Sequence, residues 1–340
     1  MRVPCAFIVA VCAAFRLFAQ TVPTGAPIIE YLAGNKSIQL RAGDSFKILD
    51  VPFQIWGPDK FLLDRSEDGQ YFTESLFKDG KFLVQLFKKG NVVMNDIPYD
   101  HAFCGSRRLI CWSEDEIYSI GLPSLRKEWS RRLDGMISMI DVDENHGLIS
   151  ICRSGDWSVM IVQENGDTVG ELGLPYEPVA AVLSSRGDIV TLEGDFNYPY
   201  SLNFFGSSTG DWVSRESLGD KHCLRTEDVI IDRGTRSRIL FGGYCTSEEI
   251  LCFDLKTNTL AMREKKDTYI PSLGYWEDNV IATRCNFFEI EVMDNSLKVL
   301  KTVQFREVPG DAPVEAMYFS NIVWTPQGVV LWLSPTQGCK

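Results

Sequence analysis

The chain has 340 residues, of which 45% are hydrophobic and 24% charged. That composition supports a sizeable buried core and excludes a disordered or fibrous chain. A formal net charge of −12 argues against nucleic acid and anionic membrane surfaces as partners of the whole body.

At the N-terminus a single early Arg2 precedes the apolar run VPCAFIVAVCAAF, Val3–Phe15. The run is too short to cross a bilayer as a helix and has the make-up of an export signal. Residues 1–19 are expected to be a signal peptide, cleaved after Ala14 or Ala19, and residues 20–27 a short linker carrying Pro23, Gly25 and Pro27. Removing Arg2 and Arg16 takes the formal charge from −12 to −14. The expected location is periplasmic or secreted, with no membrane insertion after signal cleavage. Eight cysteines remain, without a C-x-x-C pair. Cys223 with Cys245, and Cys285 with Cys339, are the pairs to test as disulfides; the alternative is that several cysteines are small buried hydrophobes.

From residue 28 onward, runs rich in β-branched and aromatic residues alternate with short polar turns. Seven hairpin-like segments follow one another: FQIWGPDKFLLDRS (Phe53–Ser66), HAFCGSRRLICWS (His101–Ser113), SMIDVDENHGLISIC (Ser138–Cys152), AAVLSSRGDIVTLEG (Ala180–Gly194), VIIDRGTRSRILFGG (Val229–Gly243), PSLGYWEDNVIATRC (Pro271–Cys285) and NIVWTPQGVVLWLS (Asn321–Ser334). Their second runs recur at intervals of 39 to 50 residues. Six further hairpins interleave with them, beginning at Glu74, Tyr118, Met160, Asn203, Leu251 and Ile290. The missing seventh partner is expected in IIEYLAGNKSIQLR, Ile28–Arg41. Two hairpins per unit of about 45 residues give four antiparallel strands, repeated around a closed ring. The expected fold is all-β: a seven-bladed β-propeller over residues 28–340, a single domain whose last blade is closed by N-terminal strands so that no edge is left open.

LCFDLKTNTLAM (Leu251–Met262) resembles the third-strand pattern of WD-repeat, NHL and YVTN-type propellers, with Phe253-Asp254 where WD repeats have Trp-Asp. LPSLRKEWSRRLDG (Leu122–Gly135) is similar to the quinoprotein-type repeat, with Trp129 in the fourth strand. Ser66, Asp68 and Gly69 resemble the sialidase Asp-box, displaced by one residue. The resemblance implies a propeller over nearly the whole mature chain and picks out no single family.

In such a blade the a–b and c–d turns emerge on one face, while the b–c and d–a connections emerge on the other. The second set is longer and chemically richer: NDIPYDH, LPYEP, GDKHCLRTED and EGDFNYPYS. Binding residues concentrate on loops placed by a rigid scaffold, so this face is the expected site. Its candidate ligand-binding residues are Asp100, His101, Arg153, Tyr176, Glu193, Asp195, Tyr198, Tyr200, His222, Arg225 and Arg284. Each has a structural alternative: Asp100-His101 as a local cap, His222 likewise, and the Tyr198–Tyr200 loop as packing on a neighbouring blade rather than as a stacking surface for a sugar or peptide. No H-E-x-x-H, G-x-S-x-G, P-loop or dinucleotide fingerprint is present. The leading expectation is a monomeric binding or scaffold module for a protein, peptide or glycan, without a cofactor. The alternative is a hydrolase, lactonase or lyase with a carboxylate/His site at the channel mouth, holding Ca²⁺ through Asp195, Glu193 and Asp100.

Overall fold

The computed structural model describes residues 28–33, 36–41, 43–56, 61–66, 68–78, 81–176, 178–195, 198–206, 212–219, 224–243, 248–265, 272–284, 289–307, 317–325 and 328–335. Among them there is no helix, and thirty strands fall into seven sheets.

In chain order, β1 (Ile28–Ala33), β2 (Lys36–Arg41), β3 (Ser45–Ile48) and β4 (Val51–Trp56) precede the first sheet. That sheet holds β5 (Phe61–Arg65), β6 (Tyr71–Lys78), β7 (Lys81–Lys88) and β8 (Asn91–Ile97) in order. The second holds β9 (His101–Cys104), β10 (Arg108–Ser113), β11 (Glu116–Gly121) and β12 (Arg126–Arg132). The third holds β13 (Met136–Asp143), β14 (Leu148–Ser154), β15 (Ser158–Gln163) and β16 (Thr168–Gly173). The fourth holds β17 (Pro178–Leu183), β18 (Ile189–Asp195), β19 (Tyr198–Phe205) and β20 (Trp212–Gly219). The fifth holds β21 (Leu224–Ile231), β22 (Arg238–Gly243), β23 (Glu248–Asp254) and β24 (Thr259–Lys265). In the sixth, β25 (Ser272–Trp276), β26 (Asn279–Arg284), β27 (Glu289–Met293) and β28 (Val299–Glu307) are followed by β1 and β2. The seventh runs β29 (Met317–Thr325), β30 (Gly328–Pro335), β4, β3.

Two sequence expectations change. Phe53–Ser66 is not a hairpin, because β4 and β5 lie in different sheets, and the first sheet starts one strand later than its repeat pattern suggests. The tight turn is supplied by Ser66–Gln70, where the Ser66 hydroxyl donates to Asp68 Oδ1 (2.7 Å) and accepts from the Tyr71 N–H (2.9 Å). Those side-chain bonds add to the backbone bonds of the turn, Gly69 N–H to the Ser66 carbonyl (2.8 Å) and Ser66 N–H to the Tyr71 carbonyl (3.0 Å). Ile28–Arg41 does not complete the last sheet. It forms β1 and β2, which extend the sixth sheet through Ile29–Glu307, Glu30–Arg306 and Tyr31–Phe305 pairs. The Tyr31 ring stacks on Phe305 and tilts against Phe46, which in turn stacks on Phe53, so aromatic contacts fasten the added hairpin to β3 and β4. The residues beside β30 are instead β4 and then β3. β30 and β4 run parallel. No hairpin turn joins them, so nothing imposes the antiparallel direction.

Every described sheet interior is shared with a neighbour. Ile149, Ile151, Met160 and Val162 pack toward Phe103, Ile110 and Ile117 of the second sheet. From the same strands, Cys152, Val159 and Ile161 pack toward Ala181, Leu183 and Ile189 of the fourth. This is why β15, SVMIVQ, reads as a continuous apolar run and not as an alternation: both faces are covered. Burying each such Val or Ile contributes about 1.5–3 kcal/mol. The fourth strands are different. β12 and β16 are largely exposed edges, and β12 carries the charges RKEWSRR that discourage edge pairing. Cys104, Cys111, Cys152 and Cys252 are buried free thiols packed as small hydrophobes; Cys223, Cys245, Cys285 and Cys339, and residues 1–27, lie outside the described residues.

Candidate functional site

Two polar constellations organise opposite ends of the strands. The first is built on Arg153, near the end of β14. The residue is 4% exposed. Nε and Nη2 donate to Ser158 Oγ (3.0 and 2.6 Å), Nη1 donates to the Asp134 carbonyl (3.1 Å), and Nη2 also reaches Glu171 and Asp156. One buried arginine therefore ties the β12–β13 connection, the β14–β15 turn and β16 together. The Leu174 N–H donates to the Trp157 carbonyl (2.7 Å), which adds the β16–β17 connection to the same group.

On this support Trp157 is 45% exposed and Met136 43% exposed. Trp157 also has φ +51°, a left-handed conformation that a bulky residue adopts only when the surrounding bonds fix it. Sequence reasoning missed both residues. The available signal was the turn SGDW: an indole at the last place of a tight hairpin turn, where Gly or Asn is the ordinary choice.

The second constellation is the β21–β22 turn, DRGTRSR. Arg233 reaches the first sheet, donating to both Asp64 oxygens (2.9 and 3.1 Å), and its guanidinium lies 4.5 Å over the Phe103 ring of the second. Arg236 donates to the Leu183 carbonyl of the fourth sheet (2.8 Å) and the Val142 carbonyl of the third (3.1 Å), and pairs with Asp141. Asp64 and Asp141 in turn accept the Cys104 and Leu183 N–H groups (2.8 Å each). A single turn thus joins the first strands of four other sheets, with every charge matched. Three arginines in one seven-residue turn was the sequence signal for it.

The predicted site residues do not converge. Arg153 is a buried support, its donors spent internally, and not a ligand contact. Asp100 and His101 form a local pair (3.9 Å), with the imidazole stacked 5.4 Å from Trp112. Tyr176 is half-buried in the β16–β17 connection. Tyr200 is 4% exposed and belongs to the apolar interface of the fourth and fifth sheets, so it offers no stacking surface.

Glu193 is 1% exposed inside the fourth sheet. Its Oε1 accepts from Thr191 Oγ1 (2.6 Å) and Asn203 Nδ2 (2.8 Å), while Oε2 and the Oγ of its cross-strand partner Ser201 have no partner among the described residues. Burial raises its carboxyl above the usual range, against the two hydrogen bonds and the nearby Arg215. Asp195, Tyr198, Arg225 and Arg284 are placed by backbone alone, in β18, β19, β21 and β26, and their side chains lie outside the described set, as does His222 entirely. Among the described residues no three His, Cys, Asp or Glu side chains gather as metal ligands. Of the three carboxylates of the expected Ca²⁺ site, Glu193 lies inside a sheet, Asp100 lies beside His101, and the Asp195 side chain is outside the described residues.

Four-stranded antiparallel sheets whose first strands neighbour one another, β5 beside β9, β17 between β13 and β21, and β25 between β21 and β29, are the blades of a β-propeller. No protein-family model matches the chain, and no curated protein matches it. Solved structures do. A hydrazine synthase chain of Kuenenia stuttgartiensis matches with TM-score 0.57 and 12% identity, over 80% of this chain and 91% of that one. The Cps50 (Swd1) β-propeller domain of Myceliophteria thermophila matches with TM-score 0.57 and 12% identity, over 83% and 93%. A chain of a mitotic checkpoint complex matches with TM-score 0.55 and 11% identity, over 79% and 85%. At these identities the shared property is the propeller fold.

Proposed function

We propose that the protein is an exported seven-bladed propeller, sealed by β3 and β4 beside β29 and β30, that serves as a binding or scaffold module for a protein, peptide or glycan. Its partner docks where the b–c and d–a connections of the third blade meet. The observation that carries this reading is the exposed, left-handed Trp157 on a platform fixed by a fully engaged buried arginine. Aromatic anchors on rigid supports are what binding surfaces are built around, because little conformational entropy is lost when they are covered. β29 lying against β5 supports ring closure.

The test is affinity capture from the native extracellular or envelope fraction on the mature chain, compared with Trp157→Ala and with Val213→Ser, an exposed position on β20. A partner held by the native and Val213→Ser chains and lost from Trp157→Ala is the expected result. Equal capture by all three would sink the proposal.

A further inference from the structure

We infer that the segment contacting this platform is cationic, a lysine or arginine flanked by an apolar side chain on a protein partner. The inference rests on the recognition reading above and narrows it. Trp157 and Met136 supply the exposed apolar area. They lie on adjoining backbone: Met136 pairs with Ser154 at the start of the turn that carries Trp157, and the Ile137 N–H donates to the Glu114 carbonyl of the neighbouring blade.

The charged groups on these connections are unequal in number and in availability. Carboxylates are supplied by Glu114, Asp115, Asp134, Asp156 and Glu171, against the guanidiniums of Arg132 and Arg153. Both guanidiniums are already engaged: Arg132 Nε donates to Asp115 (2.7 Å), and Arg153 is buried between Asp156 and Glu171. Glu114 and Asp134 are exposed, so the connections that carry the indole and the thioether have a negative rim. A cation laid over the indole gains from the ring quadrupole and from the rim together, and methionine adapts to the apolar side chain beside it. An acidic segment would be repelled, and a neutral glycan would gain from the indole but nothing from the rim.

The experiment uses the mature chain, its Trp157→Ala variant and a Glu114→Gln/Asp134→Asn double variant, each checked for cooperative unfolding. All three are applied to an array of basic, neutral and acidic dodecapeptides printed beside immobilised glycans. Retention on basic peptides with apolar neighbours is expected. It should be reduced at least tenfold by Trp157→Ala, reduced about two- to fivefold per carboxylate in the double variant, and weakened by salt. Binding to acidic or neutral peptides, or to glycans, that Trp157→Ala abolishes would overturn the cationic partner and leave the platform as a recognition site. No binding, or binding that Trp157→Ala leaves intact, would overturn both. The double variant changes only exposed side chains, so it keeps the charge argument testable if Trp157→Ala does not fold.

Discussion

Arg236 and Arg153 are equally buried, and they do opposite things. Arg236 leaves its own blade and ends on the third and fourth, on the buried carboxylates of Asp141 and Asp143 and on two carbonyls. Arg153 stays in the third blade, ending on a hydroxyl, a carbonyl and two carboxylates that are 39% and 49% exposed. A buried charge is tolerated only when it is paired and hydrogen-bonded, and both arginines are paired and bonded at all three nitrogens. The difference lies in what each bond set holds still. Around Arg236 it is the mutual position of blades; around Arg153 it is a group of connections from which an aromatic side chain projects into solvent. One end of the molecule uses its arginine to close, the other to present.

The largest effect expected from this contrast is at the first site. Arg236→Ala strands the Asp141 carboxylate in the interior and should cost about 3–5 kcal/mol in urea unfolding. Arg236→Lys should recover only a small part, since a point charge cannot satisfy Asp141 and two carbonyls at once. A loss below about 1 kcal/mol for the alanine variant would mean the turn merely rests on its neighbours. Arg153→Ala should cost less, about 1–2 kcal/mol, because Glu171 and Asp156 can turn to water. Its signature is local: the Leu174 amide, bonded to the Trp157 carbonyl, should exchange faster with solvent while the amides of β13 keep their protection. Global loss of protection would erase the distinction between the two arginines.

How far the sequence foretold this contrast depends on the range of the bonds involved. The hairpins of the second to sixth blades were legible because strand and turn chemistry is local: HAFCGSRRLICWS and its interleaved partner from Tyr118 become β9–β12, and VIIDRGTRSRILFGG becomes β21–β22. The N-terminal hairpin Ile28–Arg41 was legible as a hairpin and misplaced as to its sheet, because which edge a hairpin joins is decided by Tyr31 meeting Phe305, 274 positions on. The candidate site fared worse. Residue type picked out Arg153 and Glu193, but the same types serve a surface or an interior, and only three-dimensional burial separates the two. Trp157 was invisible to a search for polar chemistry. The pair between Asp64 and Arg233 spans 169 positions and leaves no spacing to read.

Glu193 is a third buried charge and sharpens the comparison, since its hydrogen bonds come from Thr191 and Asn203 and the nearby Arg215 only partly offsets its burial. Glu193→Gln keeps an oxygen for Thr191 and Asn203 and removes the buried charge, so it should stabilise the chain by about 1 kcal/mol near pH 8. The sign follows from its raised carboxyl. The native chain holds this proton more tightly than the unfolded chain does, so the penalty is full above the native value. It is lifted as pH falls through the native value toward the unfolded one. The advantage of the glutamine variant should therefore shrink on acidification, as read from unfolding curves at pH 8 and pH 4.5. An advantage that is constant or grows toward pH 4.5 would show that the carboxylate is satisfied, placing it with the two arginines.

The smallest effect on stability is also the one that separates presenting from closing most directly. Trp157 sits at φ +51°, where glycine fits without strain and an indole does not. Trp157→Gly relieves that strain and adds flexibility to the unfolded chain, so the net change should be below about 1 kcal/mol and of stabilising sign. If the indole were there to hold the blade together, its removal would destabilise, because aromatic burial outweighs backbone strain. A chain that melts at the same temperature or slightly higher while losing its partner would mean that the fold bears this strained residue for the sake of its surface, whereas Arg236, also left-handed at φ +47°, bears its strain for the bonds it makes between blades.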